Sequence, residues 1–284
     1  MGAPVNGRRA AAAVWQEVGE RVFRRRYRSF DLNVGAVLGD DEVLLIDTRS
    51  WRAEAQELLA DLRALTSLPC RQVVNTHAHF DHCFGNVVFR PAAFWGQRRC
   101  ATNLREHGER QRRNVIGWYP DAAADLAALE LVPPDRLVDE RATVEVGGRR
   151  VELSHLGRGH TDNDLVAIVP DAGVTFAGDL IEEGAPPSFG DAWPLEWPAT
   201  LERLLDRATA VVVPGHGDVA GRGLIAAQAG EQRAMAALCA QVLAGRQTAE
   251  EALRRAPYPA ETTRMALERA RVTSTPIDST GPRP

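Results

Sequence analysis

The sequence contains no lysine, so all 34 of its basic residues are arginine; against 38 acidic residues they leave a formal net charge of −4 and a pI near 6.0. No apolar run is long enough to cross a bilayer, and Met1 to Ala13 carries Arg8 and Arg9 without the apolar stretch of a secretory leader. A chain without a basic surplus has no general attraction for nucleic acid. We therefore expect a small-molecule partner, no nucleic acid and no membrane, and the oligomeric state stays open.

Cysteine is scarce as well. The four cysteines, Cys70, Cys83, Cys100 and Cys239, show no paired spacing, which is typical of a reduced protein and predicts a cytoplasmic location. Cys83 directly follows His82, and it could either pack behind a site or take a ligand or redox role.

Ligand-type side chains are concentrated in one short stretch, Asn75 to His82, which follows the strand-like pair Val73-Val74. Side chains two apart in extended chain point the same way, so His77 and His79 can converge on one metal ion. Asp81 and His82, where the chain turns towards a helix, can face a second ion. Imidazole and carboxylate suit zinc and similar divalent ions, and a catalytic zinc keeps one position open.

Three further candidates lie downstream, each beside glycine at the end of a strand-like segment. They are His160 in Gly159-His160-Thr161, Asp179 in Gly178-Asp179, and His216 in Pro214-Gly215-His216-Gly217. Glycine lets the backbone turn sharply there and direct a side chain across a cleft.

In this order, the His-x-His-x-Asp-His, Gly-His-Thr, Gly-Asp and Pro-Gly-His-Gly blocks resemble the metallo-β-lactamase-fold hydrolase superfamily, over about residues 33 to 217. The resemblance implies an α/β fold, a four-layer αββα sandwich. It assigns His77, His79 and His160 to one metal and Asp81, His82 and His216 to another, with Asp179 bridging both. A carboxylate at position 179 is the pattern of the glyoxalase-II-like, lactonase-like and phosphodiesterase-like branches, whereas β-lactam-hydrolysing members usually have Cys or Ser.

The implied activity is a metal-dependent hydrolysis of an ester, lactone, thioester or related bond of a small molecule. Two divalent ions, zinc first with iron or manganese as alternatives, would hold a bridging hydroxide as nucleophile, and Asp81 would orient it or take its proton. Two other readings stay open. One is a mononuclear iron persulfide dioxygenase of the same fold, and the other is a non-enzymatic binding module.

For the domain organisation we predict a single metallo-β-lactamase-like domain over residues 1–272, with a C-terminal helical part at about 221–272 and a disordered tail at 273–284. Residues 10–26 are predicted to form a helix whose basic run, Arg24-Arg25-Arg26, is solvated. Asn33 to Leu38 and Val43 to Asp47 indicate a hairpin, and Ala53 to Leu65 indicates a helix.

Several sequence features admit both a structural and a functional interpretation. The arginine-rich helix at 97–113 is either a solvated face or a lid that attracts an anionic substrate. Phe80 and the loop at 182–198, with Phe189, Trp193 and Trp197, could line a substrate pocket or belong to the core. His107 and His155 are predicted to be ordinary surface or core histidines.

Overall fold

Two β-sheets form the centre of the fold in the computed structural model, which describes residues 14–274. The first sheet has seven strands that lie side by side in chain order. They are β1 (Gln16–Gly19), β2 (Val22–Arg26), β3 (Asn33–Leu38), β4 (Val43–Ile46), β5 (Cys70–Val74), β6 (Ala93–Gln97) and β7 (Arg136–Val138). Neighbours are antiparallel from β1 to β4 and parallel from β4 to β7.

The second sheet has six strands in the order β13-β12-β11-β10-β9-β8. They are β8 (Arg141–Val146), β9 (Arg149–Ser154), β10 (Val166–Val169), β11 (Val174–Glu182), β12 (Val211–His216) and β13 (Ala220–Gly221). All neighbours are antiparallel except β11 and β12, which run parallel, so the ends of these two strands reach the same edge of the sheet.

Eight α-helices accompany the sheets in the part of the chain that the structure describes. They are α1 (Arg52–Leu65), α2 (Phe80–Cys83), α3 (Arg98–Trp118), α4 (Ala123–Ala128), α5 (Trp197–Arg207), α6 (Arg222–Leu243), α7 (Ala249–Arg255) and α8 (Ala260–Ser274). Single 3-10 segments occupy Ser29–Asp31, Phe84–Phe89 and Pro120–Ala122.

The alternation of side chains along the central strands explains the layers. On β4, Leu44 and Ile46 point into the apolar layer between the sheets, while Val43 and Leu45 pack against the Leu58 side of α1. On β10, Ala167 and Val169 face the first sheet, whereas Val166 and Ile168 face the helices α5 and α6. Strands buried on both faces require cover on both sides, and the result is the expected αββα sandwich.

The prediction of a helix over residues 10–26 is wrong for the part that the structure describes. Residues 16–26 form the antiparallel pair β1 and β2 instead. Arg24 and Arg25 are buried there, and Arg25 forms an ion pair of 2.6 Å with Asp61 of α1. Two of the three arginines are therefore buried instead of solvated, and they pair with acidic residues distant in sequence, Arg25 with Asp61 and Arg24 with Asp218.

The remaining elements agree well with the sequence patterns. The hairpin of β3 and β4 and the helix α1 lie where they were predicted, and three helices follow β13. Thr273 and Ser274 end α8, and the rest of the predicted tail, residues 275–284, lies outside the described residues, as do residues 10–13 of the predicted helix. None of the described helices combines the length and the apolarity that a membrane span requires.

Candidate metal centre

The candidate ligands meet where strands of both sheets end. Strand β5 ends at Val74 and delivers His77 and His79, and α2 then carries Asp81 and His82. Asp179 lies within β11, three residues before its end, and His216 is the last residue of β12. His160 comes from the loop between β9 and β10, so the structure brings all seven predicted residues together at one edge of the sandwich.

Four of these side chains form a first group. His77, His79, His160 and Asp179 each offer a ligand atom, and these atoms all lie within 4.8 Å of one another. His160 Nε2 is 2.9 Å from His79 Nδ1 and 3.5 Å from Asp179 Oδ2. His77 Nε2 lies 3.8 Å from the same carboxylate oxygen.

Asp81, His82 and His216 form a second group within the same 4.8 Å limit. The Nε2 atoms of His82 and His216 are 3.4 Å apart. His82 Nε2 lies 3.3 Å from Asp179 Oδ1, and His216 Nε2 lies 3.1 Å from Asp179 Oδ2. Asp179 therefore borders both groups, as the bridging assignment requires.

The donor set fits two divalent cations. Tetrahedral ligands about 2.0–2.1 Å from a zinc ion are roughly 3.3 Å apart, which is close to the spacings seen here. His77 Nε2 and Asp179 Oδ1 are buried and have no hydrogen-bond partner among the described residues. The Nε2 atoms of His82 and His216 face each other while their Nδ1 atoms donate to Asp47 and Phe30, so a cation held between the two Nε2 atoms would relieve the repulsion between them.

The opposite ring nitrogens are held by acceptors. His82 Nδ1 donates to Asp47 Oδ2 over 2.8 Å, and Asp47 also accepts hydrogen bonds from the backbone and hydroxyl of Thr76. His216 Nδ1 donates to the carbonyl of Phe30 over 2.7 Å. Phe30 has a φ of 62°, a conformation that is costly for a bulky residue and that places this carbonyl beneath His216. Such contacts fix both the tautomer and the direction of a ligand.

Sequence reasoning missed Asp191. Its Oδ1 accepts a hydrogen bond of 3.0 Å from His79 Nε2, which leaves Nδ1 as the nitrogen that faces the site. The backbone carbonyls of Asp191 and Ala192 are in turn bound by Arg269 of α8, at 3.0 and 3.1 Å. Asp191 lies in an irregular loop far from His79 in sequence, and no spacing or periodicity marks it.

Electrostatics favour positive charge in this site. Burial opposes protonation of His216, but Asp179 outweighs it and raises the pKa of His216 to about 10. Burial likewise opposes protonation of His79, and Asp191 raises its pKa to about 9. His160, buried and beside His79, has its pKa lowered to about 4 despite Asp179. Asp179 and Asp191 thus favour a positive charge beside them, which a proton or a divalent ion can supply.

Gly215 gives Asp179 its room. A Cβ atom at position 215 would lie only 1.8 Å from Asp179 Oδ1, so no other residue fits without displacing the carboxylate. Asp179 on β11 therefore requires a glycine at position 215 of the neighbouring strand β12.

A cavity of about 640 Å³ opens above the ligands. Asp81, His79, His160, Asp179 and His216 form part of its floor. Phe80 lines it, in agreement with the pocket interpretation, and so does His107, which was predicted to be an ordinary histidine. The size is that of a pocket for a small organic molecule.

Other candidates prove structural. Phe189 and Trp197 of the 182–198 loop are buried in the core beside α5, and the same loop lines the cavity through polar and small residues instead. Cys83 is buried, and its thiol donates to the carbonyl of His79 rather than facing the ligands. His155 Nδ1 donates a hydrogen bond of 2.8 Å to the backbone carbonyl of Asp164, and His155 does not line the cavity.

Comparison with known proteins points to one family. The model of the metallo-beta-lactamase superfamily matches residues 30–216. The chain is 25% identical over 197 residues to "Metallo-beta-lactamase type 2" of Bacillus cereus, covering 67% of this chain and 69% of that protein. It is 22% identical over 217 residues to "Linear primary-alkylsulfatase" of a Pseudomonas strain, covering 63% of this chain and 40% of that protein.

The fold itself is found among solved structures. The metallo-beta-lactamase from Pontibacter korlensis superposes with a TM-score of 0.65 at 21% identity, covering 78% of this chain and 99% of that one. At this identity the similarity establishes the architecture alone.

Proposed function

Because this chain belongs to the metallo-beta-lactamase superfamily, whose model covers residues 30–216, we propose that it is a dinuclear metal-dependent hydrolase of a small molecule. The bond cleaved is an ester, a lactone, a thioester or a related bond. The observation that carries the proposal is the pair of ligand groups that meet at Asp179, beneath a cavity of about 640 Å³.

The assignment of ligands follows the two groups. His77, His79 and His160 would hold the first ion, Asp81, His82 and His216 the second, and Asp179 would contact both. Divalent ions held there would lower the pKa of water towards neutrality and polarise the oxygen of the bond to be cleaved. A donor set of nitrogen and oxygen without thiolate suits zinc first, with iron and manganese as alternatives.

Asp81 is the residue to which we assign proton handling. Its Oδ2 lies 3.6 Å from the Nε2 atoms of both His82 and His216, and the side chain lines the cavity while staying almost buried. A carboxylate in that place can orient a water molecule towards the substrate and accept its proton. Its burial strengthens its electrostatic effect, because little water competes there.

The second ligand group favours hydrolysis over the alternative of a mononuclear iron persulfide dioxygenase. A one-metal oxygenase needs only one set of ligands, whereas Asp81, His82 and His216 are brought together here with Asp47 and Phe30 supporting the two histidines.

A cytoplasmic location remains part of the proposal, and it rests on four cysteines that are all unpaired.

The named relatives broaden the set of bonds to be tested. One is called a beta-lactamase and another an alkylsulfatase, so a β-lactam amide and an alkyl sulfate join the ester, lactone and thioester in the substrate panel. Asp179, at the position where the sequence pattern of β-lactam-cleaving members has Cys or Ser, favours the ester-like bonds.

The first test is the metal content of protein purified without added metal, measured by elemental analysis together with oxygen uptake. We expect two zinc ions per chain, no oxygen uptake with a thiol or persulfide, and cleavage of at least one bond of the panel. One iron per chain with thiol-dependent oxygen uptake would overturn the proposal.

A variant pair tests the ligand assignment. Asp179→Ala should lose metal and activity together, because it removes the carboxylate that both groups share. Asp139→Ala is the control, because it removes an exposed carboxylate that pairs with Arg98 outside the cavity. This variant should keep its metal content and its activity. Full metal content and full activity in Asp179→Ala would contradict the bridging role.

A further inference from the structure

One face of α3 forms a wall of the cavity. The residues of this helix that line the cavity recur at helical spacing and are Asn103, His107, Arg110, Gln111, Asn114 and Trp118. Residues three, four and seven apart share a face of a helix, so the middle of this wall is polar and basic.

Most arginines of α3 are engaged elsewhere or lie off the cavity. Arg98 pairs with Asp139 at 2.6 Å, Arg99 with Asp162 at 3.1 Å, and Arg112 with Glu109 at 3.2 Å. Arg105 and Arg113 are exposed and do not line the cavity. Arg110 alone among the described arginines lines it, and within residues 14–274 its guanidinium forms no ion pair or hydrogen bond.

The carboxylates around the cavity differ from Arg110 because each already has a partner. Asp31 pairs with Arg26 at 2.7 Å, and Asp191 accepts from His79. Glu183 accepts from the backbone N–H of Asp218 at 2.9 Å, and Glu182 from that of Ser188 at 3.3 Å. Arg110 is thus the one arginine of the described cavity wall, and none of these carboxylates contacts it, so a ligand can supply its counter-charge.

An aromatic wall continues from the C-terminal end of the same helix. Phe30 makes edge-to-face contacts with Phe80 and Tyr119, both with ring centres 5.2 Å apart, and Trp118 lies 6.5 Å from Phe80. Trp118 is 62% exposed although it is a large apolar residue. Eight residues separate it from Arg110, which corresponds to about 12 Å along the helix axis.

We propose that the substrate of this site carries a carboxylate that pairs with Arg110 and an apolar group that packs on the aromatic wall of Phe30, Phe80, Trp118 and Tyr119. This inference rests on the proposed hydrolase function, because it describes the substrate of the same site. The guanidinium offers a planar fork that matches a carboxylate, and His107 and Asn114 lie one turn away on each side as further hydrogen-bond donors.

The kinetic test uses two esters of equal acyl length, joined to the same nitrophenol leaving group, one ending in a methyl group and one in a carboxylate. If the panel shows another bond to be cleaved, the same pair of ends is built onto that bond. Arg110→Gln should raise KM for the carboxylate-ended substrate about tenfold, with kcat little changed, because it removes one charged hydrogen-bonding partner. KM for the methyl-ended substrate should not change.

Arg113→Gln is the matched control. It removes a positive charge from the same helix, three residues after Arg110, at a position that does not line the cavity. It therefore reproduces any effect that comes only from the lower net positive charge of the helix. We expect it to leave both KM values unchanged. Equal effects of the two variants, or an equal effect of Arg110→Gln on both substrates, would overturn the proposal.

A binding measurement separates this inference from the hydrolase function. Isothermal titration of the metal-loaded protein with 4-phenylbutyrate and with the uncharged 4-phenylbutyramide should show preference for the carboxylate, and Arg110→Gln should weaken only the carboxylate, about tenfold. If no bond is cleaved but this pattern appears, the hydrolase function fails and the anion site stands. If bonds are cleaved and the Kd of 4-phenylbutyrate is the same in Arg110→Gln, the carboxylate is held elsewhere and the inference fails.

Discussion

Replacing Asp191 by alanine tests whether a residue outside the ligand set controls the first metal site. Asp191 Oδ1 accepts the Nε2–H of His79 at 3.0 Å, and this contact leaves Nδ1 facing His160 Nε2 at 2.9 Å. Without the carboxylate, the imidazole of His79 can rotate or change tautomer, and its basicity falls. Loss of such a supporting contact typically weakens metal binding 10- to 100-fold, or by about 1.4–2.7 kcal/mol.

The loss of metal affinity should not exceed this range, because Asp191 is not a core residue. Its side chain is 47% exposed, so the free energy of unfolding should change little and the remaining ligands should stay in place. The second group should keep its affinity, since Asp47 and Phe30 support His82 and His216 independently.

The assay is a competition titration against a chromophoric zinc chelator that resolves two binding steps. We expect Asp191→Ala to weaken one step and leave the other unchanged. Glu183→Ala is the control, because it removes another cavity carboxylate, one that contacts a backbone N–H instead of a histidine. If both steps weaken equally, or if the control has the same effect, the cause is the charge of the cavity and the orientation argument is refuted.

Two further substitutions follow from the same contacts. Gly215→Ala should lose metal from both groups, because its Cβ would lie 1.8 Å from Asp179 Oδ1. Gly223→Ala is the control, because the space around Gly223 is open, and it should keep the metal content of the unchanged protein in elemental analysis. Retention of both ions in Gly215→Ala would contradict the argument. Arg269→Ala should weaken metal binding to the first group, which contains His79, less than Asp191→Ala does, because Arg269 acts through backbone carbonyls at 3.0 and 3.1 Å. An unchanged chelator titration would show that α8 does not support the site.

The candidate ligands could be proposed from the sequence because they stand in short local patterns, and the structure brings these residues together. Four lie within six residues after a strand, and His160, Asp179 and His216 stand beside glycines in strand-end segments. Apolar runs on both sides of a turn likewise predicted the hairpin of β3 and β4. These features depend on neighbours in the chain, which a single sequence displays.

Features that depend on distant partners could not be predicted. The run Arg24-Arg25-Arg26 has the composition of a solvated face, yet Arg25 is buried against Asp61, and Asp218 lies beside Arg24 at 3.4 Å. Arg110 has neighbours on α3 with the same charge, and only the position of the cavity distinguishes it from Arg113. In each case the partner comes from another element, and no local pattern encodes which element will be close.

The C-terminal helices show how far such a dependence can reach. They lie beyond residues 30–216, the part that matches the family model, yet Arg269 of α8 binds the backbone at Asp191, and Asp191 holds His79. The same loop is anchored in the core by Phe189, whose ring contacts Trp197 edge-to-face at 5.4 Å and lies 6.0 Å from Tyr258, between α7 and α8. The loop that lines the cavity through Asp191 is therefore held in part by helices that contribute none of the candidate ligands. The candidate ligands and the loop beside them therefore depend on different parts of the chain, because the ligands lie within residues 30–216 and the helices after residue 216 hold the loop.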